Sequence, residues 1–70
     1  MDLVKQFGER LKELRIEKNL SIRQLAKVLD VSDRAVGRWE KGQITPSIVQ
    51  LYNIAIYFGV SADYLLGLEN

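Results

Sequence analysis

The sequence predicts an all-α fold, a compact bundle of five short helices. Three observations carry this. Apolar residues recur at helical spacing along most of the chain. Residues suited to starting and stopping helices interrupt that spacing at intervals. No stretch alternates apolar and polar residues for long enough to make a strand, and no repeat, low-complexity tract or interdomain linker appears.

Leu3, Phe7, Leu11, Leu14 and Lys18 follow a 4-4-3-4 spacing, which predicts an amphipathic helix over about residues 3–18, the lysine stem continuing the apolar stripe. Asn19 suits its end, because asparagine tolerates left-handed backbone. Ser21 is a start signal with Gln24 three residues on, the pattern of a capping box, and Leu25, Ala26 and Leu29 form the apolar face of a short second helix. Asp30, Val31 and Ser32 leave room only for a tight turn. Ser32 is the next cap candidate, Asp33 suits a positive helix start, and Val36 and Trp39 face inward from a third helix that Gly42 closes. Thr45 and Pro46 are expected to open the fourth helix, threonine as cap and proline at the first helical position. Its wide apolar face is Ile48, Leu51, Tyr52, Ile54, Ala55 and Phe58, and Gly59 stops it. Ser61 caps a short fifth helix carrying Leu65 and Leu66.

Composition narrows the function. Seventy residues allow one domain, taken as 1–70, close to the size at which a lone core just suffices. The chain has neither cysteine nor histidine, so it lacks thiolate ligands, disulfides, the commonest metal ligand and the commonest general base. No glycine-rich phosphate loop or HExxH-type spacing occurs, and no enzyme activity, cofactor or metal is expected. No apolar run approaches membrane-spanning length and residues 1–10 lack the apolar core of a secretory signal, so a cytoplasmic protein without a membrane partner is expected. Charge is distributed unevenly. All ten basic residues lie within residues 1–41, a stretch of net charge +3, whereas residues 42–70 carry only Asp63 and Glu69. One end is made for an anion.

The informative segment is residues 21–42, SIRQLAKVLDVSDRAVGRWEKG. Two short helices joined by a turn of three or four residues, the second opening with polar side chains, make a helix-turn-helix. Ala26 must be small where the helices cross, Val31 plugs the turn into the core, and Val36 and Trp39 pin the second helix against the first. Asp33, Arg34, Gly37, Arg38 and Lys41 are then left outside.

From GERLKELR, through QLA…VS…V.RWEKG, to TPS…L…A…GVSADYLLG, nearly the whole chain resembles the lambda-repressor-like, Cro-type domains, the xenobiotic-response-element type of bacterial and phage regulator. The resemblance implies a sequence-specific double-stranded DNA-binding regulator, probing the major groove with its third helix while the second crosses the backbone. Carried over by position, Asp33, Arg34 and Arg38 stand where bases are read. Arg34 and Arg38 share a face one turn apart, and an arginine fork matches the O6/N7 edge of guanine; a phosphate contact is the alternative for each. Asp33 has two roles open to it, accepting from cytosine or orienting an arginine on one side and stabilising the helix start on the other. Ser21, Arg23, Lys27 and Ser32, with Lys41, Gln43 and the backbone amides near Gly42, are the phosphate candidates, a solvated face being the alternative for Arg23 and Lys27.

The resemblance also implies an internal ion pair between Arg15 and Glu40, bracing the third helix. Two positions depart from the family pattern: Asp30 replaces the usual turn glycine, and Gly37 lies inside the reading helix, either admitting a close backbone approach or leaving a base unread. Family members bind palindromic sites as dimers, so a weak homodimer, formed alone or on DNA, is expected. Tyr52, Tyr57, Tyr64, Leu65 and Leu68 are the candidate dimer face, with completion of the core as the other use for the tyrosines. Repression by occlusion, without a small-molecule effector, at the nucleoid, is the expected mode. The rival reading is a protein-interaction or antitoxin-like module whose DNA binding is secondary.

Overall fold

The computed structural model describes residues 2–69 and places five helices in them: α1 (Leu3–Glu17), α2 (Ile22–Leu29), α3 (Asp33–Glu40), α4 (Ile48–Phe58) and α5 (Ala62–Leu65). No strand occurs among the described residues. Each helix starts in the same way. The side chains of Asp2, Ser21, Ser32, Ser47 and Ser61 accept from the backbone N–H three residues on, satisfying a donor that the helix leaves without a partner. Ser21 with Gln24 and Ser47 with Gln50 close complete capping boxes.

The helix ends are equally uniform. Asn19, Asp30, Gly42, Gly59 and Gly67 all have positive φ, between 57° and 77°. After each of them the next N–H reaches back five residues: Leu20 to Arg15, Val31 to Ala26, Gln43 to Arg38, Val60 to Ala55 and Leu68 to Asp63. The left-handed residue turns the chain sharply enough for these bonds to form, so five helices fit into 28 × 24 × 22 Å.

The start of α4 corrects the sequence expectation. The cap is Ser47, and Thr45 and Pro46 lie outside the helix. A cap at Thr45 would put Ile48 at the third helical position, where it has nothing to return to the cap N–H. Ser47 puts Gln50 there, and both bonds of the box form, at 2.8 and 3.1 Å.

Every helix sends side chains into one core: Phe7 and Leu11, Leu25 and Ala26, Val36 and Trp39, Ile54, and Leu65. Val31, in the α2–α3 turn, packs against it. Helix α3 lies against both α1 and α2. Its contact with α1 is tight at Gly8, where a Cβ would overlap the Trp39 carbonyl oxygen and sit 3.0 Å from that of Glu40.

The apolar face of α4 is narrower than expected. Ile54 is fully buried and Leu51, Ala55 and Phe58 pack beside it, but Ile48 and Tyr52 point outward. Tyr52 lies on the flank of the inward stripe, and Ile48 is the first helical residue, at the rim of the core. Leu65 requires the opposite correction. It is fully buried and is no part of a dimer face, because the short α5 delivers it directly between its neighbours. No helix among the described residues is long and apolar enough to cross a membrane.

Candidate nucleic-acid interface

With Val36 and Trp39 buried, the 3.6-residue period turns Asp33, Arg34 and Arg38 to solvent on the other side of α3. Arg34, Gly37, Arg38, Lys41 and Gln43 line a single concave patch. The structure therefore brings together four of the side chains singled out for DNA, three of them cations. Among the described residues the salt bridge found is that of Arg15 with Glu40, so both arginines of α3 keep their guanidinium donors for an external partner. Asp33 is exposed in the first turn of α3, while Ser32 does the capping through its 3.1 Å bond from the Ala35 N–H.

Ser21, Arg23, Lys27 and Ser32 are exposed but do not line this concavity. The oxygens of both serines already accept a helix N–H, leaving each hydroxyl proton to donate. The expected amides near Gly42 need correction. The N–H groups of Lys41, Gly42 and Gln43 are bonded to the carbonyls of Gly37, Trp39 and Arg38, closing α3, so this loop can offer a phosphate the side chains of Lys41 and Gln43 rather than those amides.

The brace behind α3 is bidentate. Arg15 Nε and Nη2 donate to the two carboxylate oxygens of Glu40 at 2.6 and 3.0 Å, and Nη1 donates to the Leu20 carbonyl at 2.8 Å. The side chains are 12% and 5% exposed. The hydrogen bonds to Glu40 raise the Arg15 pKa above its ordinary value despite the opposing effect of burial. One guanidinium thus ties the end of α1 and the turn after it to the last residue of α3.

Two residues belong to this architecture that sequence reasoning did not single out. Gly8 sets the distance between α1 and the end of α3. Its signal in the sequence is a glycine inside an otherwise regular helical stripe. Lys5 lies where α1 crosses the loop after α3, its Cα 3.0 Å from where a Cβ on Gly42 would stand, and brings another exposed lysine close to Lys41 and Gln43. Only its membership in the basic stretch pointed to it.

Of the remaining dimer candidates, Tyr57 and Tyr64 are half-buried against the core. The Tyr57 ring meets Phe58 edge-on at 4.9 Å and has the Lys18 ammonium 5.0 Å from its centroid, while Arg10 covers the Tyr64 ring at 4.3 Å. Tyr52 and Leu68 are exposed.

A short helix locked into the core on one side, bearing unpaired cations on the other and braced at its end, defines a helix-turn-helix DNA-binding domain. The helix-turn-helix family model matches residues 11–65, and the chain belongs to that family, in its lambda-repressor-like, Cro-type form. It is 42% identical over 64 residues to the HTH-type transcriptional activator BcrR of Enterococcus faecalis, covering 91% of this chain and 31% of that protein. It is 37% identical over 60 residues to YonR, an SPbeta prophage-derived HTH-type transcriptional regulator of Bacillus subtilis, covering 86% of this chain and 56% of that one. The chain thus spans between about a third and somewhat over half of these relatives.

Among solved structures, the restriction-modification controller protein C.AhdI of Aeromonas hydrophila is 39% identical, with a TM-score of 0.79 and coverage of 91% of this chain and 96% of that one. The P22 c2 repressor, solved in complex with a synthetic operator, is 28% identical, with a TM-score of 0.84 and coverage of 90% and 96%. The hydroxypropylphosphonic acid epoxidase of S. wedmorenis also contains the fold, at 29% identity and a TM-score of 0.83, but the match covers 93% of this chain and only 35% of the enzyme.

Proposed function

We propose that this chain binds double-stranded DNA in a sequence-specific way, with α3 in the major groove and α2 across the backbone, as the DNA-binding part of a transcriptional regulator. One observation carries the reading: Arg34, Arg38, Lys41 and Gln43 surround one concavity on the free side of α3, with no ion pair among the described residues to neutralise the arginines. Arg34 and Arg38 read bases, preferring guanine through its O6/N7 edge. Asp33 accepts from a cytosine amine or steers Arg34. Lys41, Gln43, Ser21, Ser32, Arg23 and Lys27 hold phosphates and fix the register. The names of the relatives favour regulation over catalysis, and the likeness to the epoxidase involves about a third of that enzyme, as expected of a fold that serves several functions.

A single reading helix covers few base pairs, so the operator is palindromic and is filled by a dimer whose half-sites lie about 34 Å apart. The contact is made by the outer face of α4, where Ile48, Val49, Tyr52 and Ile56 are 86%, 68%, 64% and 65% exposed; Leu68 is exposed as well. Residues 42–62 carry no charge, so α4 brings none of its own to the contact. The mode is repression at the nucleoid, a reading that the likeness to the P22 c2 repressor favours, although BcrR is named an activator.

Selection of bound duplexes from a random pool tests the reading. The expected product is a two-fold symmetric site with a G·C pair in each half. Absence of any enriched sequence overturns it. The same apolar face of α4 is what favours the rival, a protein-interaction module; duplex or heparin retention without salt dependence would decide for that rival.

A further inference from the structure

Four of the five glycines serve the fold. Gly8 lets α1 rest on the last carbonyls of α3, and Gly42, Gly59 and Gly67 hold φ values of +70°, +68° and +77° that end helices. Gly37 serves none of these purposes. It lies in the middle of α3, its φ is not positive, and a Cβ built on it meets nothing within 4 Å. The protein would accept alanine there without moving an atom. A glycine inside a helix is also less stable than alanine, because it loses more backbone freedom on folding. The chain therefore carries a local loss of stability that its own packing does not explain.

Position explains it. Gly37 lines the concavity together with Arg34, Arg38, Lys41 and Gln43. Arg34 and Arg38 flank it along the helix, and Lys41 stands one turn further on. A Gly37 side chain would point toward this concavity, away from the buried Val36 and Trp39. We propose that Gly37 is a specificity-determining gap: the bare backbone of α3 admits a major-groove base edge beside the two arginines, and any side chain there holds the helix out of the groove. The inference rests on the reading of α3 as the helix in the groove. It assigns Gly37 the close-approach role and excludes an unread base at that position. Contact through the gap also brings both guanidinium groups within reach of base edges, so the readout by Arg34 and Arg38 depends on it.

The test compares wild type, Gly37→Ala, Gly37→Leu and Arg34→Ala. Each is measured by thermal melting and by titration of the duplex that wild type selects from a random pool. Gly37→Ala is expected to melt above wild type and yet bind that duplex about tenfold more weakly, the equivalent of one lost base contact. Gly37→Leu is expected to bind more weakly still, whereas both retain the weak binding of an unrelated duplex at low salt, which tolerates a shallower approach. A raised melting temperature with lowered affinity separates this role from a structural one, since misfolding moves both downward. If wild type binds the selected duplex and Arg34→Ala binds it at least about tenfold more weakly, but Gly37→Leu stays within about twofold of wild type, the gap is overturned while the DNA reading stands. If wild type selects no duplex, both fall.

Discussion

Glu40 shows how a residue beside the binding face serves it without touching DNA. Its carboxylate is nearly enclosed and meets both arms of the Arg15 guanidinium. Glu40→Ala leaves that cation without its partner and is expected to cost about 3 kcal/mol, visible in chemical denaturation as a lowered midpoint. Because the Arg15 pKa is raised, its share of this stabilisation is fully present below the ordinary guanidinium range and is lost only as pH rises through the raised value, above any working pH. Arg34→Ala is expected to behave oppositely. Exposed, and without an ion pair among the described residues, Arg34 contributes little to folding, so the melt should hold while affinity for the selected duplex falls by about 1–3 kcal/mol and preference relaxes at one base pair. At Gly8 the obstacle to a side chain is backbone, which cannot swing aside. Gly8→Ala is expected to cost about 1–3 kcal/mol by pushing α3 off α1.

At the scale of elements, the molecule is punctuated more strictly than it is patterned. Each of its five helices is opened by Asp or Ser and closed by a left-handed Asn, Asp or Gly. Ser47→Ala should lower stability by about 1 kcal/mol in denaturant titrations, and Thr45→Ala, outside the helix, should change it much less. Asp30, at φ 57° and ψ 47°, adopts a conformation that costs an L residue energy. These signals are local and therefore readable. Ser21, Gln24, Asn19, Ser32, Gly42, Gly59 and Ser61 were all recognisable from type and spacing, because a cap or stop is decided within five residues; Asp30 was recognisable as a left-handed turn residue only through the family resemblance. The start of α4 was ambiguous for the same reason: Thr45 with Pro46 and Ser47 with Gln50 are both sound local signals, and only the reciprocal hydrogen bonds select between them.

At the scale of the whole molecule, charge and apolar surface divide the labour. Basic residues end at Lys41, in the loop beside the α3 concavity, while α4 carries no charge and exposes four large apolar side chains. Lys41→Ala is expected to weaken binding to all duplexes alike and to reduce the slope of log affinity against log salt by about one. Tyr52→Asp introduces charge on the proposed contact face without disturbing the core. It should leave the melt intact and abolish dimeric occupancy of a two-fold site in sedimentation on the duplex, and retained two-to-one binding would remove α4 from the interface.

The chain's own chemistry settles the helices, their boundaries at most ends and the polar side of α3, since each follows from neighbours within a turn or two. The inward set of Phe7, Leu11, Leu25, Ala26, Val36 and Trp39 follows from the same periodicity. How the helices are rotated about one another is a long-range property that no window of residues contains. That rotation put Leu65 inside, left Tyr52 and Ile48 outside, and pressed Gly8 against the Trp39 carbonyl. Periodicity tells which side of a helix is apolar; only packing against the other helices decides how much of that side is covered.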